Sequence, residues 1–175
     1  MSSGHRHTRV DHDWAKKEYY AALGSAPFRA YLFDTKYRIN RDFDIPYVAG
    51  YSKDARTVYI DRHLPLKIRF GGDSVAILPF LIEHERVEKG LIDIFKMGYN
   101  EAHHIATWAE ERLLKKAKRS PTLYEKALDP YIKADEHEKI KKVPKDLDLK
   151  PYRDSGDYAL IAHMEEKMHG LYLEY

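Results

Sequence analysis

Along the chain, the alternation of apolar and polar positions changes period twice. Residues 13–23, "DWAKKEYYAAL", read as a short helix with Asp13 as its cap, ending at Gly24. The stretches "FRAYLFDTKYRI" and "YVAGYS-KDAR-TVYIDR" that follow are rich in Tyr, Val, Ile and Phe, as strands are. Residues 47–52 and 57–62, separated by the polar "KDAR", predict a hairpin, and Val58 and Ile60 alternate with Tyr59 and Asp61. After residue 72 the helical period takes over. A helix is predicted from Asp73, its cap, to Lys96, with Pro79 marking a late start or a kink. A second helix, capped by Asn100, covers 101–118, and a third opens at Ser120-Pro121 and runs to about Lys139.

Strands first and helices after them indicate an α+β fold: a small antiparallel sheet or hairpin followed by three to four helices. The predicted organisation is a flexible N-terminus (1–12), a single domain (13–139), and residues 140–175 as an extended arm plus a terminal helix packed on it. A length of 175 residues suits one domain with a real core.

Within the long helix, "FLIEHERVEKGL" (80–91) sets three acids and a histidine into the apolar stripe. On a wheel of roughly 100° per residue, Ile77, Leu81, Leu91, Ile92 and Phe95 share one face. His84 and Glu88 fall within roughly 20° of its centre. Arg86, Lys89, Asp93 and Lys96 fall opposite, and Glu85 lies at the margin. A buried, unpaired carboxylate costs several kcal/mol at least, so a partner is required. One solution is a buried His84–Glu88 ion pair, or Glu88 bridged to an arginine such as Arg62. The other is a divalent metal held by His84 and Glu88 one turn apart.

The motif His84-Glu85-x-x-Glu88 differs by one residue from H-E-x-x-H, whose first glutamate is a general base, the position of Glu85 here. A catalytic zinc needs a third protein ligand and an open position. His103, at the edge of the apolar face of the next helix, is the candidate, with Glu110 as its substitute. His104 points away from that face with Glu101 and Glu111. Asp61 and His63, ending the second hairpin strand, are candidates for orienting a ligand or touching substrate, against the plainer reading of a solvated strand end.

A hairpin strand, an irregular loop and a helix bearing His84-Glu85-x-x-Glu88 resemble the core of zincin-type metallopeptidases over about residues 45–115. Glu88 stands where that family carries its second histidine. The resemblance implies a zinc-dependent hydrolase, most simply a peptidase acting on a peptide or protein. It further implies that the edge strand of the sheet, here "TVYIDR", holds extended substrate.

Two other classes compete. One is a non-catalytic assembly or interaction protein that keeps the scaffold with a buried His84–Glu88 pair. The other is a di-metal carboxylate protein, because Glu101-x-x-His104 and Glu166-x-x-His169 match the spacing of di-iron bundles. Composition prunes further. No cysteine is present, which excludes disulfides and thiolate metal sites and fits a reducing, cytoplasmic setting. A net charge of +2 and a tyrosine count of 14 do not point to a nucleic-acid protein: acidic residues interleave along the chain, so basic runs such as "RLLKKAKRS" and "KIKKVPK" read as a solvated face. No apolar run reaches membrane-spanning length. His5, His7 and His12 lie in a polar terminus that lacks a leader-type apolar stretch. The arm around "PYRDSGDY" suggests wrapping its own domain or a second copy.

Overall fold

A computed structural model describes residues 11–133 and 139–170. It is an α+β protein built around one helix. α1 (His12–Leu23) and α2 (Ala26–Arg29) come first, and a π-helical turn (Ala30–Asp34) extends α2. Strands β1 (Arg38–Asn40), β2 (Ala49–Tyr51) and β3 (Thr57–Ile60) follow, then the hairpin β4 (Lys67–Phe70) and β5 (Asp73–Ala76). The remaining elements are α3 (Leu78–Phe95), α4 (Tyr99–Lys116), α5 (Pro121–Lys133), α6 (Lys150–Asp154) and α7 (Tyr158–Gly170).

α1 begins one residue before the predicted start. Its cap is Asp11, whose Oδ1 accepts from the Trp14 amide at 3.1 Å, and not Asp13. The aromatic stretch 28–39, expected as a strand, is mostly helical. Pro27 opens α2, and Phe28 and Tyr31 press against Gly90 of α3 so closely that an added Cβ would lie 2.5 Å from the Tyr31 ring. Tertiary packing here overrides β propensity.

The three-stranded sheet has the order β1-β3-β2, with β1 parallel and β2 antiparallel to β3. The hairpin 47–62 is present as β2–β3, but the sheet is mixed, not purely antiparallel. β3, predicted as the edge strand, is central, so both its backbone edges are already paired. β2 is the outer strand nearest α3, and its far end pairs with the later chain through a Ser52–Leu147 bridge.

Asp73 does not cap α3; it begins β5. Gly71 and Gly72, at φ 58° and 84°, form the two-residue turn that joins β4 to β5, where a side chain would be strained. α3 starts only after Ile77, with Pro79 in its first turn, where the missing amide costs nothing. α4 starts at Tyr99, with Gly98, not Asn100, at its cap. α5 is described to Lys133; the expected continuation to Lys139 and the end of the terminal helix extend into residues outside the described set. Within 140–157, expected to be extended, residues 150–154 form α6.

The core forms three apolar clusters, two of which pack on α3. The first gathers the sheet and the β4–β5 hairpin against α3 and α5, including Ile60, Ile77, Leu81 and Leu128. The second joins α1, α2, α3 and α4 through Phe28, Val87, Leu91 and Ile105. The third attaches the later chain to the sheet through Ile45, Tyr59, Leu147, Tyr152 and Met164. α3 is therefore enclosed on nearly every side, and Arg86 and Lys89, expected to face solvent, are buried. Arg86 donates to the carbonyls of Leu32 (2.6 Å), Tyr31 (2.5 Å) and Thr35 (3.5 Å), closing the end of the π-helical turn. Lys89 pairs with Asp148 at 2.8 Å and Asp93 at 3.1 Å. Among the described residues, no helix is long and apolar enough to cross a membrane.

Candidate metal centre

His84 and Glu88 sit one turn apart on α3, and the facing stretch of α4 carries His103 and Glu110. Because residue 84 meets 110 while 88 meets 103, the two helices run antiparallel. All four side chains meet in the seam between them. His84 Nε2 lies 3.2 Å from Glu88 Oε2 and 3.2 Å from His103 Nδ1, and His103 Nδ1 lies 2.9 Å from Glu88 Oε2.

These three atoms form a nearly equilateral triangle, which hydrogen bonding alone cannot satisfy. Each ring nitrogen carries at most one proton, so at most two edges can be hydrogen bonds. The third edge always brings like against like, donor to donor or lone pair to lone pair. The same triangle matches one face of a zinc tetrahedron. Bonds of about 2.0–2.1 Å imply ligand–ligand edges of about 3.3–3.4 Å. His84, Glu88 and His103 thus fit a divalent ion in number, type and spacing.

A second layer orients these three side chains. His84 Nδ1 lies 2.9 Å from Glu110 Oε2, which fixes the ring so that Nε2 faces the triangle. Glu110 Oε1 in turn accepts from the buried Tyr124 hydroxyl at 2.6 Å. Glu110, considered at first as a substitute ligand for His103, therefore lies on the opposite side of the His84 ring. Glu88 Oε1 accepts from the buried Tyr51 hydroxyl at 2.8 Å. Tyr51 and Tyr124 escaped the sequence reading because neither has a local signature; they arrive from β2 and α5.

Burial lowers the proton affinity of His84, but hydrogen bonds to Glu110 and Glu88 outweigh it and raise its pKa well above the ordinary histidine value. Burial pulls Glu88 upward, while His103 and His84 more than reverse this and bring it to about 2. Glu85 behaves oppositely. Burial, then repulsion from Glu88, pushes its carboxyl up to about 8. Burial also raises the phenols of Tyr51 and Tyr124, each beside a carboxylate.

The seam opens into a cavity of about 870 Å³ lined by His84, Glu85, Glu88, His103, Glu110 and Tyr99, with Tyr47–Gly50, part of α5, Asp148 and Tyr152 as further walls. Its floor is strained: Tyr47 and Val48 have φ of 59° and 68°, a region that a β-branched residue rarely enters. Glu85 stands at this wall, partly buried, one residue after His84.

The other sequence-selected residues lie elsewhere. Arg62 does not reach Glu88; it pairs with Asp44 at 2.5 and 3.0 Å. Asp61 holds the amides of Ile45 (2.9 Å) and His63 (3.1 Å), and His63 Nε2 lies 3.2 Å from Asp44. Neither Asp61 nor His63 lines the cavity. His104 Nε2 accepts from the Asp11 amide at 2.7 Å, on the α1 side of α4. Glu101 and Glu166 are exposed, and the His169 side chain lies outside the described residues, as do His5 and His7. Comparisons with protein-family models, curated proteins and solved structures returned no match.

Proposed function

We propose that the chain is a metal-dependent hydrolase, most simply a peptidase, similar to the zincin type, with zinc as the simplest ion for the site. The observation that carries this reading is the triangle His84–Glu88–His103, which leaves one contact unsatisfied without a cation and opens onto a cavity of about 870 Å³. When bound, the ion supplies Lewis acidity, acidifying water and polarising a carbonyl.

The chain's own residues do the rest. Glu85 is the general base. It takes the proton of the attacking water and returns it to the leaving amine, and its place on the cavity wall one residue after His84 puts it within reach of that water. Glu110 keeps His84 in the tautomer whose Nε2 lone pair faces the ion. An extended peptide fits beside β2 rather than β3. Val48 and Ser52 bond to β3, so by strand alternation the Ala49 amide and carbonyl turn to the cavity side.

A second reading, from a different class, is a non-catalytic interaction protein in which His84 is an imidazolium held between Glu88 and Glu110. The two carboxylates on one buried ring favour it. Metal analysis of a tag-free preparation separates the two. The hydrolase reading expects about one equivalent of zinc, lost in His84→Ala, and Glu88→Gln lowers metal affinity far more than it lowers the melting temperature of the metal-free protein. A fully folded, metal-free protein, or a loss of roughly 3 kcal/mol in Glu88→Gln whether or not chelator is present, favours the ion pair.

A further inference from the structure

Glu88 has two oxygens, and the structure treats them differently. Both imidazole nitrogens converge on Oε2, at 3.2 and 2.9 Å. Oε1 faces the other way and is held by the Tyr51 hydroxyl at 2.8 Å. Tyr51 has little freedom to release it. Its side chain is buried, and β2 fixes its backbone by pairing with Val58. Its carbonyl accepts from the Asp148 amide at 2.9 Å, and the Lys89 ammonium lies 5.3 Å above its ring.

We infer that Tyr51 is a positioning residue that holds Glu88 to the metal through Oε2 alone. This rests on the metal reading above and deepens it. A carboxylate without such a partner can swing until both oxygens bind, which raises the coordination number by one and crowds the position that water and substrate need. With Oε1 tethered, the chain supplies two nitrogens and one oxygen, and the remaining position of a four-coordinate ion stays open toward the cavity. Neighbouring Glu110 repeats the arrangement, with one oxygen on the Tyr124 hydroxyl and the other on His84. In both cases a buried phenol holds one oxygen and leaves the other for the site.

Tyr51→Phe tests this in the full-length protein loaded with cobalt(II). The wild type should give the intense visible bands of four-coordinate cobalt. Tyr51→Phe should shift them to the less intense bands of five-coordination and lower zinc affinity by about 10- to 100-fold, as loss of such partners does. Circular dichroism and melting in chelator establish whether the variant is folded. A wild type that takes up no cobalt overturns the metal reading itself. Intense cobalt bands in the wild type that stay unchanged in a folded Tyr51→Phe, at unchanged zinc affinity, overturn the role of Tyr51 alone. An infrared difference between zinc-loaded and zinc-free wild type needs no variant. Widely split carboxylate stretches are expected for one-oxygen ligation, and a narrow, chelate-type splitting overturns the inference.

Discussion

Two faces of α3 bury charge, in opposite ways. On the face toward the π-helical turn, the two terminal nitrogens of Arg86 meet three carbonyls while its Nε is left without a partner, and its guanidinium lies 4.1 Å from the centre of the Tyr37 ring and 5.0 Å from that of Tyr31. Gly90 lets the turn approach closely. On the face toward α4, the His84, Glu88 and His103 atoms crowd into a triangle whose contacts cannot all be favourable, and a large cavity opens beside them. Buried charge alone therefore does not mark a site. What distinguishes the face toward α4 is that three polar atoms crowd together in contacts that cannot all be favourable, with a cavity beside them where something can be added.

That contrast breaks most readily at Arg86. Arg86→Ala leaves the end of the π-helical turn without donors and should cost about 3–5 kcal/mol in urea unfolding, several charge-assisted hydrogen bonds being lost together. Zinc stoichiometry should not change. Loss of metal at full stability would mean that the two faces are not separate.

The cavity face is sharpened by Glu85. Glu85→Gln removes a base but neither a ligand nor much volume, so metal content and melting temperature should stay close to wild type. Hydrolysis of any confirmed peptide substrate should fall by on the order of 10² or more, the usual worth of a general base. An untouched rate rules out the proposed role of Glu85, and metal loss as complete as in His84→Ala would make it a ligand.

The smallest effect concerns a carboxylate with neither role. Burial raises Asp44, but the Arg62 guanidinium and the amides of Lys141 and Lys142 reverse this and leave its pKa below the ordinary value. A depressed carboxyl contributes stability that is present above its unfolded value, near 3.8, and is lost as pH falls through the lower folded value. Acid titration followed by circular dichroism should thus show extra loss of stability below about pH 4 in the wild type. Asp44→Asn should remove that part of the pH dependence; an unchanged acid limb would place the sensitivity elsewhere.

How much of this was readable in the residues follows from where each signal is stored. The two long helices carried it locally, in the 3.6-residue spacing of apolar positions and in the break at Met97-Gly98. The inward turn of His84 and Glu88 followed from the same wheel. Residues 28–34 misled because Tyr, Leu and Phe suit a strand, while the contact with Gly90 that makes them helical is distant in sequence. Gly71-Gly72 is a hairpin signal in its own right, yet "DSVAIL" continues smoothly into a helical pattern and hid β5. The burial of Arg86 and Lys89 was beyond any single-face wheel, which assumes solvent on one side. Tyr51 and Tyr124 were not readable at all, since only the folded chain brings them to Glu88 and Glu110.

The later chain closes one wall of the cavity, and this has a kinetic side. Asp44 meets the Lys141 amide across 97 residues, whereas its neighbour Ile45 meets Asp61 across only 16. Closing the longer loop costs roughly 1.6 kcal/mol more in chain entropy. Contacts of such long range form after local ones, so the helical seam with its triangle of His84, Glu88 and His103 can assemble before Asp148 and Tyr152 arrive to enclose it. A ribosome-bound chain would then carry the triangle early and the finished cleft late, a temporal order written into the connectivity of the fold.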